Sequence, residues 1–267
     1  MTSAPLRAAV TATLLVLGTA APAHAQRPFP YRLDPAREPV LFAGGAALLG
    51  ASVAMDADLE ALTVEEIAAL DPADVNAFDR GATSRWSPTT AQVSDVALLA
   101  TVGAPLALLA SPVPATIALM YGETILLANG IGQFLKAATH RTRPFVYNDD
   151  PAVTLDEKQS FNARRSFPSG HAQNAFAAAV FLSTVYGTTH PTSSARPWIW
   201  AGSLTAAGTV SYLRYAAGKH FPTDILTGAA LGGAIGWIVP ELHRSETVRL
   251  SLVPARDETF VGLSLRF

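Results

Sequence analysis

The 267-residue chain has no cysteine, which excludes disulfides, thiol catalysis and thiolate-held metals. It is also poor in charge: Asp, Glu, Lys and Arg make up 15% of the residues against 49% hydrophobic, with a formal net charge of −2. A near-neutral chain gives no reason to expect nucleic acid as a partner. Internal repeats and low-complexity tracts are missing as well. So little charge points to helices buried in a large core or in a bilayer, and the length suits a single catalytic domain.

Residues 1–25 read as a secretory signal peptide. Arg7 is the lone n-region cation, Ala8 to Ala20 is an apolar run, and Ala23-His24-Ala25 is a small-x-small cleavage site before Gln26. The alternative is an uncleaved anchor, although the apolar run falls short of the ~20 residues that span a bilayer. Either route exports the chain. Residues 26–38, rich in proline and arginine, form a linker, and Pro39–Met55 is an apolar helix candidate.

Short amphipathic helices are expected over 58–70 and 72–80. Thr63 with Glu66 matches a capping box, and Asp71-Pro72 an N-cap followed by proline at the first helical position. Asp79, Arg80 and Asp95 are either surface and capping groups or reach a site formed further along the chain. Two apolar segments, Val96–Leu109 and Pro114–Leu135, follow on either side of Ser111-Pro112. Glu123, inside the second, is paired at a helix interface or lies near the site.

Residues 145–167 form a polar loop of the length that often serves as a binding element; its Arg164 and Arg165 are either a solvated pair or meet an anionic substrate head. Helices are expected over His171–Tyr186, Trp198–Ala217 and Asp224–Val239. The tail, 246–267, alternates apolar and polar residues from Val248, Leu250 and Leu252 to Val261, Leu263, Leu265 and Phe267, which suggests a β-hairpin. The organisation is thus a signal peptide (1–25), a catalytic domain (26–245) and a hairpin tail (246–267).

Three short constellations carry the chemistry. Lys136 and Arg143, seven apart at a helix end and in the turn fixed by Pro144, can hold one anion together. In Pro168-Ser169-Gly170-His171, Ser169 is a natural N-cap and Gly170 lets the backbone approach closely. The free N–H groups of the following helix favour an anion, and His171 sits over it as a proton donor. Arg214 adds a planar cation suited to phosphate. His220 and Asp224 are four apart, with Pro222 and Thr223 marking the entry to the last helix, so the carboxylate can accept from one imidazole nitrogen and leave the other free as a nucleophile. Singly, each pattern is also what surface or capping residues look like. Jointly and in this order they are not.

In order and spacing these motifs resemble the three-part signature of the type 2 phosphatidic acid phosphatase superfamily, which includes bacterial acid phosphatases and vanadium haloperoxidases. The resemblance implies an all-α fold, a helical bundle of five to six core helices with the motifs at one end, here followed by the small hairpin. It implies that His220 attacks phosphorus to form a phosphohistidine, oriented by Asp224, and that His171 protonates the leaving group and later helps activate water. Lys136, Arg143 and Arg214, with Ser169 and the Gly170 amide, bind the phosphate oxygens. No metal or other cofactor is implied, in keeping with the lack of an evident carboxylate or histidine ligand cluster. One departure is Leu213, where the family often has serine.

The expected substrate is a phosphate monoester or pyrophosphate of a lipid, such as phosphatidic acid or a polyprenyl pyrophosphate. Three other functions are kept in view, a soluble periplasmic non-specific acid phosphatase among them. A vanadate-dependent haloperoxidase would use the same pocket, but such relatives look longer and tend to carry one more residue between the Lys and Arg of the first motif. A non-catalytic binding protein on this scaffold would be expected to lose a histidine. The expected location is the periplasm or the cell-envelope membrane, with the site facing the periplasm. If the mature N-terminus is outside and six segments all span, however, the motif loops would face the cytoplasm.

Overall fold

The structure, a computed structural model, describes residues 29–245 in full and the backbone of Val248–Pro254 and Thr259–Leu265. The expected signal peptide lies outside the described residues. Among the described residues six long helices dominate: α1 (Arg37–Met55), α4 (Pro88–Gly103), α5 (Pro114–Thr139), α7 (Gly170–Thr189), α8 (Arg196–Ala216) and α9 (Pro222–Leu242). Short helices α2 (Val64–Ala68), α3 (Ala77–Arg80) and α6 (Leu155–Lys158) sit in the two long connections. Strands β1 (Val248–Pro254) and β2 (Thr259–Leu265) pair antiparallel, Val248 opposite Leu265.

Local sequence sets these bounds. The Thr63–Glu66 capping box forms in both directions, and Asp71 accepts from the Ala73 amide. Helix α4 begins eight residues before the expected Val96, because Ser87 caps the Thr90 amide and Pro88 takes the first helical position. It tightens into a 3₁₀ segment over Ala104–Ala110, where Pro105 has no N–H to continue the α-helical ladder. Helix α5 ends as His140 turns left-handed (φ 40°), and the His140 ring reaches Asp56 at 3.1 Å.

The long helices alternate in direction, which gathers the functional ends. At one end α1 finishes beside α5 through Asp56 and His140, the Ser87 amide at the start of α4 donates to Ala217 after α8 (3.4 Å), and the starts of α7 and α9 meet where the Ser169 amide donates to Asp224 O (2.9 Å). At the opposite end the Arg32 amide donates to His243 O, the Ser245 amide to Pro30 O (2.8 Å each), and Tyr31 bridges Arg244. The described N-terminal residues and the exit from α9 therefore lie together, remote from the motifs.

Helices α7 and α9 run parallel in close contact. Gly228, Gly232 and Gly236 face Ser169, Gln173 and Ala177, and a Cβ at any of the three glycines would run into the facing carbonyl oxygen. Small residues at four-residue spacing allow such backbone approach. Phe181, Met120, Ile117 and Val185 fill the main core, and Asn129 and Asn174 exchange hydrogen bonds across α5 and α7 (3.1 and 3.2 Å). The outer surface is apolar: Leu99 is 73% and Trp198 77% exposed, with Val40, Val53 and Trp237 also outward. Helix α1, the Pro88–Ala110 segment and α9 are each long and apolar enough to cross a membrane.

Candidate active site

Four helix ends supply the expected residues. Lys136 lies in the last turn of α5, Arg214 in the last turn of α8, His171 in the first turn of α7, and His220 just ahead of α9. Ser169 is the N-cap of α7, its Oγ accepting from the Ala172 amide at 3.4 Å. A Cβ on Gly170 would lie 3.9 Å from Lys136 Cε, so this turn sits against the lysine stem. Arg143 is pinned by its own amide to Ala163 O (2.8 Å), and the Phe145 amide donates to Gly218 O (3.1 Å). Gly218 adopts φ 70° with Arg85 O packed where a side chain would stand, so only glycine fits there. All eight residues singled out by the motifs meet at one end of the bundle.

His220 is 2% exposed. Its Nδ1 lies 2.8 Å from the Ser166 carbonyl oxygen. A carbonyl only accepts, so Nδ1 carries the proton and Nε2 presents a lone pair, the form a nucleophile needs. Asp224 Oδ2 is 3.6 Å from Nδ1, beyond a hydrogen bond. The expected direct carboxylate–imidazole bond is thus replaced by a backbone contact. Asp224 instead accepts from Ser166 Oγ (2.5 Å), the Phe221 amide (2.9 Å) and Arg141 (2.6 Å), holding both the segment that carries the Ser166 carbonyl and the start of α9. Burial, then the charges of Arg143, Lys136, Arg214 and His171, push the His220 pKa well below the usual histidine value.

The cations are buried and only partly engaged. Lys136 Nζ donates to the carbonyls of Pro168 (2.5 Å) and Arg165 (3.0 Å). Arg143 makes long contacts to Lys219 O (3.3 Å) and Arg165 O (3.4 Å), and Arg214 reaches Asp95 at 3.2 Å. The Nε atoms of Arg143 and Arg214 are buried without a hydrogen-bond partner. Buried guanidinium N–H groups rarely go unused, and two of them beside helix N-termini form a site for an anion. Burial and the nearby Arg214 lower the Arg143 pKa to about 10, still cationic at neutral pH.

Several residues without an assigned role from sequence complete the site. Asp95 lies 2.7 Å from His171 Nε2 and also meets Arg214, so it joins the expected proton donor to a cation. Asp79 is fully buried and accepts from the Thr223 amide (2.9 Å), Thr223 Oγ1 (2.6 Å) and Arg141 (2.8 Å). Of the three charges left open, Asp79 and Asp95 therefore belong to the site, whereas Arg80 bonds the carbonyls of Val75 and Ala73. Arg141, two residues before Arg143, clamps Asp79 and Asp224 and stacks on Phe221 (4.2 Å). Its place inside the first motif was the available signal. Arg165 is committed to Asp56 and Gln133, and Arg164 reaches Glu60 O at 3.5 Å.

The chain is 32% identical over 121 residues to the lipid A 4'-phosphatase of Bacteroides thetaiotaomicron, covering 44% of this chain and 49% of that protein. It is 29% identical over 121 residues to the decaprenylphosphoryl-5-phosphoribose phosphatase of Mycobacterium tuberculosis, covering 45% of this chain and 58% of that one. The matches thus span about half the length of these curated relatives. The solved structure of the first transmembrane PAP2 type phosphatidylglycerolphosphate phosphatase from Bacillus subtilis aligns with 74% of this chain and 95% of its own, at 20% identity and a TM-score of 0.47. Residues 117–247, which hold all three motifs, match the family model of the PAP2 superfamily.

Proposed function

We propose that this protein is a membrane-associated phosphatase that removes phosphate from a phosphate monoester or pyrophosphate of a lipid. The carrying observation is His220: its Nδ1 is tied to the Ser166 carbonyl, which leaves Nε2 with a lone pair among buried cations whose guanidinium Nε atoms have no partner. In the proposed reaction Nε2 attacks phosphorus while the ester oxygen departs, and His171, held by Asp95, gives that oxygen a proton. Water then attacks the phosphohistidine, His171 takes the water's proton, and inorganic phosphate leaves. Lys136, Arg143 and Arg214, with Ser169 and the Gly170 amide, carry the charge on the equatorial oxygens. Asp224 positions His220 through Ser166. The reaction calls on no metal or cofactor.

The lipid class is supported by the apolar outer surface and by the names of the relatives, both lipid phosphatases. Purified protein is assayed in detergent, with EDTA, on p-nitrophenyl phosphate, a short-chain phosphatidic acid and a polyprenyl pyrophosphate. Release that vanishes in His220→Ala supports the reading, and the preferred substrate identifies the class. No release from any of the three rejects it and turns attention to peroxide and bromide with vanadate.

The site is proposed to face the periplasm. Because Pro30 and Ser245 lie at the end remote from the motifs, six spanning helices would then place residue 29 on the cytoplasmic side, which is incompatible with release of a signal peptide after Ala25. A chain without cysteine makes the test clean. A single cysteine at Asp150, in the motif-side loop, is expected to react with an impermeant maleimide on intact cells. One at Ser194, in the remote α7–α8 connection, is expected to react only after lysis. The reverse pattern refutes the orientation.

A further inference from the structure

Glu38 in the first turn of α1, Glu123 within α5 and His243 at the end of α9 converge at the end of the bundle remote from the motifs, one ligand-type atom of each lying within 4.8 Å of the others. Glu123 and His243 are fully buried, and Glu38 is 8% exposed. His243 Nδ1 is 2.8 Å from Val239 O, so that nitrogen carries the proton and Nε2 points its lone pair inward. Two carboxylate oxygens flank Nε2, Glu38 Oε1 at 3.0 Å and Glu123 Oε2 at 3.1 Å. Neither makes a hydrogen bond with it, and both Glu123 oxygens lack any donor.

We propose that this trio binds a divalent transition-metal ion of the zinc class. A lone pair facing two carboxylates is repulsive unless a proton or a metal cation lies between them. A proton on Nε2 would point along the ring axis, where neither oxygen accepts it, whereas a metal on that axis draws ligands from either side. Zinc held about 2.0–2.2 Å from imidazole and carboxylate donors sets those donors roughly 3.3 Å apart, close to the spacing found. The supporting contacts also suit a metal: Val239 O fixes the imidazole tautomer, and Glu38 is oriented by Arg37 (2.7 Å) and the Asp34 amide (2.7 Å). Two carboxylates and one imidazole, without thiolate or thioether, favour a borderline ion and leave a coordination position open.

The three residues come from different helices, 85 and 120 positions apart, so no local spacing reveals them. The expectation that the chain lacks a carboxylate–histidine ligand cluster therefore does not hold. Glu123 stands about 20 Å along α5 from Lys136 at 1.5 Å per residue, too far to touch the phosphate. The ion would fasten α1, α5 and α9 where Arg37 also bonds Leu242 O and Arg32 O. The inference is independent of the phosphatase reading.

The test is metal content. Full-length protein in detergent is incubated at length with chelator, reloaded with zinc chloride, desalted and analysed by mass spectrometry. The expected result is about one zinc per chain, a melting temperature that falls on chelation and recovers with zinc, and a zinc-edge absorption spectrum of one nitrogen and two or more oxygen ligands. Glu123→Gln, which keeps the side chain's shape, is expected to hold no zinc and to melt identically with and without it. Should that variant fail to fold, wild-type stoichiometry and the absorption spectrum still decide. Wild type that retains no zinc and ignores chelator overturns the proposal, as does a Glu123→Gln variant that keeps its zinc.

Discussion

Asp224→Asn tests how His220 is oriented. In a triad the carboxylate bonds the imidazole directly, and its loss costs about 10⁴-fold where it alone fixes the tautomer of the catalytic histidine. Here Asp224 stands 3.6 Å from Nδ1, and Ser166 O takes the hydrogen bond. What remains is the attraction between Asp224 and the positive charge that His220 acquires as it attacks. At 3.6 Å and an effective dielectric constant near 20 this is about 4–5 kcal/mol unopposed. Arg141, 2.6 Å from the same carboxylate, opposes it. We take about 1–2 kcal/mol as the remainder, a loss of roughly 5–30-fold in kcat. Asparagine keeps one acceptor and loses a charged one, so stability should fall by about 1.5–3 kcal/mol. Steady-state phosphate release and thermal melting in detergent measure the two effects. A 10⁴-fold loss in kcat with unchanged melting would refute the reasoning, since it would mean that Asp224 bonds Nδ1 during turnover.

His171→Gln is expected to lower kcat/KM, which reports the steps through formation of the phosphohistidine, by about 10²–10⁴-fold on a lipid phosphate, with a much smaller loss on p-nitrophenyl phosphate, whose leaving group needs no proton; equal losses in kcat/KM on both substrates would remove His171 from the proton-donor role. The lowered pKa of His220 sets a pH dependence of stability. The unfolded chain binds a proton below about 6.5 that the folded chain refuses, so folding weakens as pH falls from 6.5 toward the lowered value and is unaffected above it. The wild type should therefore lose up to about 1.4 kcal/mol per pH unit relative to His220→Gln below pH 6.5. Melting curves of the two proteins that stay parallel through that window would contradict it.

Much of the molecule was legible because its signals are local. Ser169 ahead of an apolar helix, Pro222 at the start of α9, the Thr63–Glu66 box and the break at Ser111-Pro112 are decided within one helical turn, and the structure has each in place. Ser87-Pro88 was a signal of the same kind, and overlooking it placed α4 too late. Asp79, Asp95 and Ser166 were not legible. Their partners Arg141, Thr223, His171 and Asp224 lie 58 or more positions away, and an acidic residue on a polar stretch reads as solvated until a neighbouring element covers it. Glu123 was open in sequence between an interface and the site. It lies at the interface of α1, α5 and α9, because α5 carries its two charged groups more than three turns apart.

The arrangement of the four helix ends also explains why the motifs are spaced as they are. Helix N-termini carry partial positive charge and C-termini partial negative. Two of the four ends, the starts of α7 and α9, already favour phosphate through their free N–H groups. The other two, the ends of α5 and α8, would repel it. Those two ends are where the chain places Lys136 and Arg214, each in the last turn of its helix. A cationic side chain there offsets the roughly half charge of a helix C-terminus, so all four ends can receive an anion at one point. The nucleophile then falls to an N-terminal end, because a neutral imidazole is favoured where surrounding charge opposes protonation, while the proton donor at the other, His171, has Asp95 at 2.7 Å to favour its protonated form. On this logic the places of Lys136, Arg214, His171 and His220 follow helix direction and the alternation of helices fixes their order, while Arg143, ahead of the Pro144–Tyr147 turn, is placed by its amide bond to Ala163 O.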